Sequence, residues 1–503
     1  MSRPAWVRWS AWILLCAPLA LPAATLQAAP SKRLVISQIE ETRDLRTLDP
    51  LWSMDVPIPG LMVCDSLVRR TPEGGFRPLL AQSIQRVSSR VWRIQLRGGV
   101  RFSDGSPLTA GDVKATLDYI RDPQSRSGMR RMVSYVDEVR VLNPRTVDVV
   151  TSVPHALQAH FLVPVPILSR QHLDRGGEHR RKPVCTGPYV LDGWDPGSSV
   201  RLRRNPLYWG RDAYWDEVVV RAVPEPATRL ADLLSGGAQL VGDLLPEMVP
   251  RVRGAGYRVL VEPGVRTAYL TFLFKPPFHD ARVRRAVYHA LDRAALSRAV
   301  FGEFAAPAVS VVPRGFGGYA EVFPLSDYDP PRARALLREA GVPLPLRVSL
   351  DTAASWVTLA QVAQAQLREA GIETEITVLD RALVFDPQRL RDADGGRIIL
   401  FLALDNHMFD AMRPFEAFLA AQSFLKAMGY QPDAETDRLI QAYVGEEDVR
   451  RRLDLSRAIQ LRAKSQAPVV WLLYPDLIYA LSGAVRWPGS RAGRIEIRDV
   501  WPR

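Results

Sequence analysis

Two hydrophobic periodicities alternate along this chain, and their alternation predicts an α/β protein of more than one lobe. Strand-like runs recur between amphipathic helical ones, as in "VWRIQL" before "DVKATLDYI" and "ETEITVL" after "TLAQVAQAQLREAGI". A length of 503 residues with 47% hydrophobic side chains supplies a core large enough for two to four lobes. No segment beyond the first 30 residues is apolar for long enough to be expected to cross a bilayer.

The N-terminus reads as an export signal. Arg3 and Arg8 precede the apolar run from Ala11 to Leu21, and small residues follow up to "LQAAP", an order that predicts a signal peptide over residues 1–28. The run is shorter than the ~20 residues of a membrane span, Pro18 interrupts it and Pro22 follows it. Cys16 follows Leu15 rather than the small residue of a lipid-attachment site, so a free, unlipidated periplasmic protein is expected. The mature chain keeps Cys64 and Cys185, 121 positions apart. The reading favours two small buried side chains and leaves open their pairing in an oxidising compartment.

The formal charge is +12, less the two leader arginines, and only six of the 66 basic residues are lysine. Such a surface suits an acidic ligand, an anionic membrane face or nucleic acid. The basic residues are scattered, however, and the one dense cluster, "EHRRK" at 178 to 182, reads as a solvated loop. Nucleic acid is therefore not an expected partner.

Taken in order, "KRLVISQ" is a short strand, and "GLMVCDSLVRR" at 60 to 70 has the apolar spacing of a short helix. In "VWRIQLRGGVRF", Trp92, Ile94 and Leu96 fall on one face and Val91, Arg93, Gln95 and Arg97 on the other, as in a half-buried strand. A turn at "SDGSP" follows, then Thr109 as N-cap with Asp112 three residues on, then the helix "DVKATLDYI". "PYVLDGW" and "SSVRLRRN" form a hairpin around "DPGS", "EVVVRAV" a strand, and "ATRLADLLSGGAQL" a helix closed by Gly236 and Gly237. "TAYLTFLF" is a strand leading to "KPPF". Longer helices follow in "DARVRRAVYHALDRAALSRAVF", "DPPRARALLREAGV" and "TLAQVAQAQLREAGI", the last two sharing a "REAG" end. "APVVWLLYPDLIYAL" returns to strand character.

The usual chemical signatures are missing. There is no "GxxxxGK[ST]", and "RGFGGYA" at 314 to 320 is a loop without the strand-then-helix setting of a dinucleotide site. There is no "CxxC", "HExxH" or "GxSxG", and His155 and His160 are five apart, a poor spacing for one helical face. No metal site, no cofactor and no enzymatic activity are expected.

Four blocks in order resemble the peptide/nickel-binding family of extracytoplasmic solute-binding proteins of ABC importers, solute-binding family 5. They are "VWRIQLRGGVRFSDGSPLTAGDV", "CTGPYVLDGWDPGSSVRLRRNPLYWG", "KPPFHDARVRRAVYHALDR" and "YDPPRARALLREAG". The resemblance implies a periplasmic-binding-protein-like type II (cluster C) clamp of two main lobes plus an extra small lobe. Lobe I would take 31–60, 180–265 and 468–503, the small lobe II 61–179, and lobe III 266–467. It implies a monomer that hands a peptide-like solute to permease subunits driven by cytoplasmic ATPases. A ligand-sensing relative, or a carrier of anions or sugars, is the alternative.

The chain departs from the family pattern at three places. Cys185 stands for the first glycine of "GTGPY", and Leu273 or Phe274 for an asparagine. The loop "LALDNHMFDAMRP" lacks the tryptophan of the family's ammonium-receiving "W-x-x-D-Y-x-D". By position, the expected ligand-binding residues are Thr42, Thr267, Tyr269, Trp356, Asp405, Asn406, His407 and Asp410. Asp405 or Asp410 would receive a cation, Asn406 and His407 would donate or accept hydrogen bonds, and Tyr269 and Trp356 would form apolar walls.

Overall fold

Runs of valine, leucine and isoleucine too apolar to leave either face in water build the central strands of two large sheets. A computed structural model describes residues 32–38, 48–51, 63–71, 75–173, 177–211, 213–406, 408–490 and 495–503; for 158, 381–382 and 402–405 it describes the backbone only. The leader, Thr42 and His407 lie outside the described residues. Residues Lys32–Arg503 form one compact unit.

The seven-stranded sheet runs in the order Arg258–Glu262, Leu477–Leu481, Leu240–Val241, Arg33–Gln38, Glu217–Ala222, Ser199–Arg204, Tyr189–Asp195. Arg33–Gln38 lies parallel to both neighbours, Arg33 opposite Glu217 and Ile36 opposite Leu240. The six-stranded sheet runs Ala305–Pro307, Val469–Pro475, Arg266–Phe272, Arg397–Asp405, Leu346–Ala353, Ile372–Leu379. Leu346–Ala353 and Ile372–Leu379 are parallel, joined by the helix Val357–Glu369. A four-stranded antiparallel sheet holds Ala81–Ser88, Val91–Leu96, Thr146–Thr151 and Val136–Asn143.

The joint "RFSDGSPLTAGDV" folds as its sequence dictates. Gly105 takes φ +88°, which a side chain would resist, and the helix Ala110–Arg121 begins at Thr109, whose amide donates to Asp112 Oδ2 at 2.8 Å. Asp112 Oδ1 also accepts from the amide of Arg170 at 3.0 Å, so one carboxylate caps the helix and ties down a distant segment. The Ser103 amide donates to the carbonyl of Cys185, which anchors the joint to the segment entering the large sheet. The "REAG" ends both close on left-handed glycines, Gly341 and Gly371.

Three expectations are corrected. Residues 60 to 70 form no helix over the part described: Ser66 bridges Pro166, and Val68–Arg70 is a strand paired with Phe76–Pro78. Val63, Cys64, Leu67 and Val68 are all buried, but from several sides at once, so their spacing reflects burial rather than one helical face. "DARVRRAVYHALDRAALSRAVF" is two helices, Ala281–His289 and Arg293–Phe301, because Asp292 accepts from the Ala295 amide and starts the second. In "EHRRK", His179 is buried against the edge of Tyr119 and beside Asp49, so only part of the cluster is solvated.

The two cysteines, whose pairing the sequence leaves open, are joined: Cys64 and Cys185 form a disulfide with 4.7 Å between their Cα atoms. Next to it lies a buried polar knot. Asp65 accepts from Arg498 Nη2 at 2.7 Å, Trp209 Nε1 at 3.1 Å and Thr186 Oγ1 at 3.3 Å, which fastens residues near the C-terminus to the body.

Candidate solute-binding site

The chain passes between the two large sheets twice, and the two passages lie side by side. Arg258–Glu262 in the seven-stranded sheet becomes Arg266–Phe272 in the six-stranded one through residues 263–265. On the return, Val469–Pro475 becomes Leu477–Leu481 across Asp476. Each passage is antiparallel to the other on both sides, with Glu262 opposite Leu477 and Ala268 opposite Leu473. At the crossing, the Gly264 amide donates to Asp476 Oδ1 at 3.3 Å. A Cβ at Gly264 would fall 1.9 Å from the Pro475 carbonyl oxygen, so glycine alone permits this approach.

A cavity of about 390 Å3 opens against this crossing. One wall comes from segments flanking the seven-stranded sheet, with Pro224, Glu225, Arg229, Asp243, Leu244 and Leu245. The other comes from the six-stranded side, with Arg266, Phe301, Phe304 and Trp356. Arg266 Nη1 reaches Asp243 Oδ1 at 3.4 Å, an ion pair spanning the two sides. Arg229, 1% exposed, donates to the carbonyls of Val223, Pro224 and Asp243 at 2.6 to 2.8 Å. Burial raises the proton affinity of Asp476, which the Gly264 amide only partly offsets.

The residues singled out from the sequence divide into two places. Trp356 lines this cavity, and its indole N–H has no hydrogen-bond partner among the described residues. Thr267 and Tyr269 lie on the strand Arg266–Phe272, both buried; Tyr269 packs edge-on against Phe418 at 4.8 Å, and burial pushes its hydroxyl well above the usual tyrosine range. Asp405 ends the neighbouring strand opposite Arg266, its side chain beyond what is described. The Asn406 amide donates to the Val265 carbonyl, and its side chain holds Asp410 from both backbone ends.

Asp410 is 2% exposed and already engaged. Its Oδ1 accepts from Tyr443 Oη at 2.6 Å and from the Met412 amide at 2.9 Å, while a Cβ on Gly317 would lie only 2.2 Å from its Oδ2. Gly317 belongs to "RGFGGYA", a loop as expected, whose role here is to pack against this carboxylate. Beside it is Arg70, whose guanidinium lies 4.9 Å over the Phe409 ring; burial lowers its pKa to about 10 and Asp410 opposes that shift. His160 accepts or donates between Arg70 and the Met408 carbonyl, and burial followed by Arg70 depresses its pKa.

Sequence reasoning missed Asp476, Asp243 and Arg266. The signal available for Asp476 was its position: "PD" interrupts the otherwise apolar "VVWLLYPDLIYAL". Asp243 and Arg266 carried no local signal, since they meet only through the tertiary fold. No group of three or more metal-ligating side chains occurs among the described residues, and no helix among them is long and apolar enough to cross a membrane.

Similar proteins share this architecture. Staphylococcus aureus NikA, solved with Ni(L-His)2, superimposes with a TM-score of 0.80 at 21% identity over 93% of this chain and 100% of its own. Helicobacter pylori DppA, solved with the peptide STSA, gives 0.81 at 21% identity over 93% and 98%. The glutathione-binding protein GsiB of Escherichia coli K12 is 29% identical over 313 residues, 60% of each chain, so the match spans less than two thirds of that relative. Residues 75–425 match the profile of the bacterial extracellular solute-binding proteins, family 5 Middle; with the doubled crossing and the cavity against it, this chain belongs to the family 5 extracellular solute-binding proteins.

Proposed function

We propose that this protein is the extracytoplasmic solute-binding component of an ABC importer, capturing a peptide or peptide-like solute and delivering it to a membrane permease. The observation that carries this reading is the paired crossing with a cavity against it. Two large bodies connected through two adjacent extended strands can rock about that line, and a solute touching both bodies stabilises the closed form. The three sheets serve as cores of lobe I, lobe II and lobe III; because Val469–Pro475 lies in the six-stranded sheet, the last segment of lobe I starts at Asp476 rather than at 468. Thr42, Asp405 and His407 remain candidates for contacts with the solute. The leader directs the chain to the periplasm, where the Cys64–Cys185 bond would be retained.

A thermal-shift screen of di- to pentapeptides, opines, oligosaccharides and organic anions tests the reading. A ligand at 100 times its Kd adds ~2.7 kcal/mol to stability. A stabilising solute that also reduces the radius of gyration supports capture by closure, and deletion of the gene should then abolish uptake of that solute. Stabilisation without loss of uptake on deletion would assign a sensing role instead. Turnover of an ester, amide or phosphate by the pure protein would overturn the reading.

A further inference from the structure

We propose that Asp476 is the acidic anchor of the solute site, and that the cavity at the crossing selects solutes presenting an organic cation beside an apolar group. The inference rests on the solute-binding reading and names the chemistry of its site.

The charges lining the cavity do not balance once their partners are assigned. Arg266 is committed to Asp243. Arg229 is committed to three backbone carbonyls, which hold its donors in fixed directions away from a ligand. Glu225 is exposed at the rim. Asp476 remains: its carboxylate receives one hydrogen bond, from the Gly264 amide, and among the described residues no arginine, lysine or histidine pairs with it. The walls around it are Phe301, Phe304 and Trp356 with prolines and leucines, which solvate a charge poorly. A carboxylate in such a place attracts a cation and repels an anion, and the aromatic faces add to the attraction.

Two further features point the same way. Asp410, one of the two carboxylates expected by sequence position, has its oxygens occupied by Tyr443, Met412 and the Gly317 approach, and Arg70 lies close enough to act on its charge. Asp476 also sits where the chain passes between sheets, its amide donating to the Phe304 carbonyl at 2.8 Å and its carboxylate receiving Gly264. A cation seated there touches both crossing strands at once, so recognition and lobe position share one residue.

The test uses the full mature chain and three probes of one shape: phenethylamine, N-acetylphenethylamine and 3-phenylpropionate, with binding followed by calorimetry and thermal shift. The amine is expected to bind at least tenfold more tightly than the neutral and anionic probes. Asp476→Asn, which keeps an acceptor for the Gly264 amide, is expected to lose that preference while melting as the wild type does without ligand. Equal binding of 3-phenylpropionate, no binding of the amine, or an unchanged preference in Asp476→Asn overturns the proposal. The probe comparison on the wild type stands even if the variant folds poorly. If a peptide from the broader screen binds wild type and Asp476→Asn alike, the anchor falls and the solute-binding reading survives.

Discussion

Removing the charge of Asp410 separates two roles that its sequence position cannot distinguish. As the receptor of a solute ammonium, Asp410 would be dispensable to the empty protein; as the acceptor for the Tyr443 hydroxyl and the Met412 amide, it would be needed to fold. The structure argues for the second. Asp410→Ala leaves the Tyr443 hydroxyl and the Met412 amide without an acceptor, and leaves Arg70, 5% exposed, without the carboxylate that opposes its desolvation. Leaving a buried donor without its acceptor costs about 1–3 kcal/mol each, and two donors are left here. For a unit that unfolds cooperatively over roughly 200 residues, 1 kcal/mol corresponds to about 2–4 °C, so the unliganded variant should melt about 10 °C below the wild type. Differential scanning calorimetry without ligand measures this directly. An Asp410→Ala protein that melts as the wild type does, yet no longer binds the solute, would refute the structural assignment and return the residue to the ligand.

Other perturbations follow from the same geometry. Asp65→Ala should destabilise by about 3–5 kcal/mol, since Arg498 is 3% exposed and loses its carboxylate; limited proteolysis should then release the C-terminal residues first. Reduction of Cys64–Cys185, or Cys64→Ser with Cys185→Ser, should cost about 5 kcal/mol in the chain-entropy account for a loop of 121 residues, read as the shift in urea midpoint. Gly264→Ala places a methyl group on the Pro475 carbonyl and should lower the melting temperature and weaken solute binding together, with overpacking of this kind costing about 1–3 kcal/mol. Glu416, 7% exposed and facing Tyr135, Arg131 and Arg413, has its carboxyl raised by burial to about 7. Its proton is held in the folded state to higher pH than in the unfolded state, so its contribution is fully present below about pH 4.5 and lost as pH rises through 7. Denaturant melts at pH 5 and pH 8 should show Glu416→Gln gaining about 3 kcal/mol on the wild type over that interval. A constant difference would place Glu416 in water.

What the sequence determined by itself was local. The capped helix after "SDGSP" and the hairpin around "DPGS" each rest on residues within a few positions of one another, and both appear where the sequence puts them. The glycine-closed "REAG" ends follow the same rule. The order of four blocks then placed the chain in its family, because each block is itself a local structure. The errors came where burial from several directions imitated one periodic face, as at Val63, Cys64, Leu67 and Val68. The tertiary structure decided everything that joins distant residues. It closed Cys64 on Cys185 across 121 positions, set Asp65 on Arg498 across 433, and brought Gly264 to Asp476 across 212. Carboxylates of one kind in sequence thereby acquire different work: Asp410 is buried among donors, while Asp476 lines a cavity whose arginines are held by other groups. Spacing records which face a residue takes on its own helix or strand, but the field at a carboxylate is set by whatever the fold packs against it.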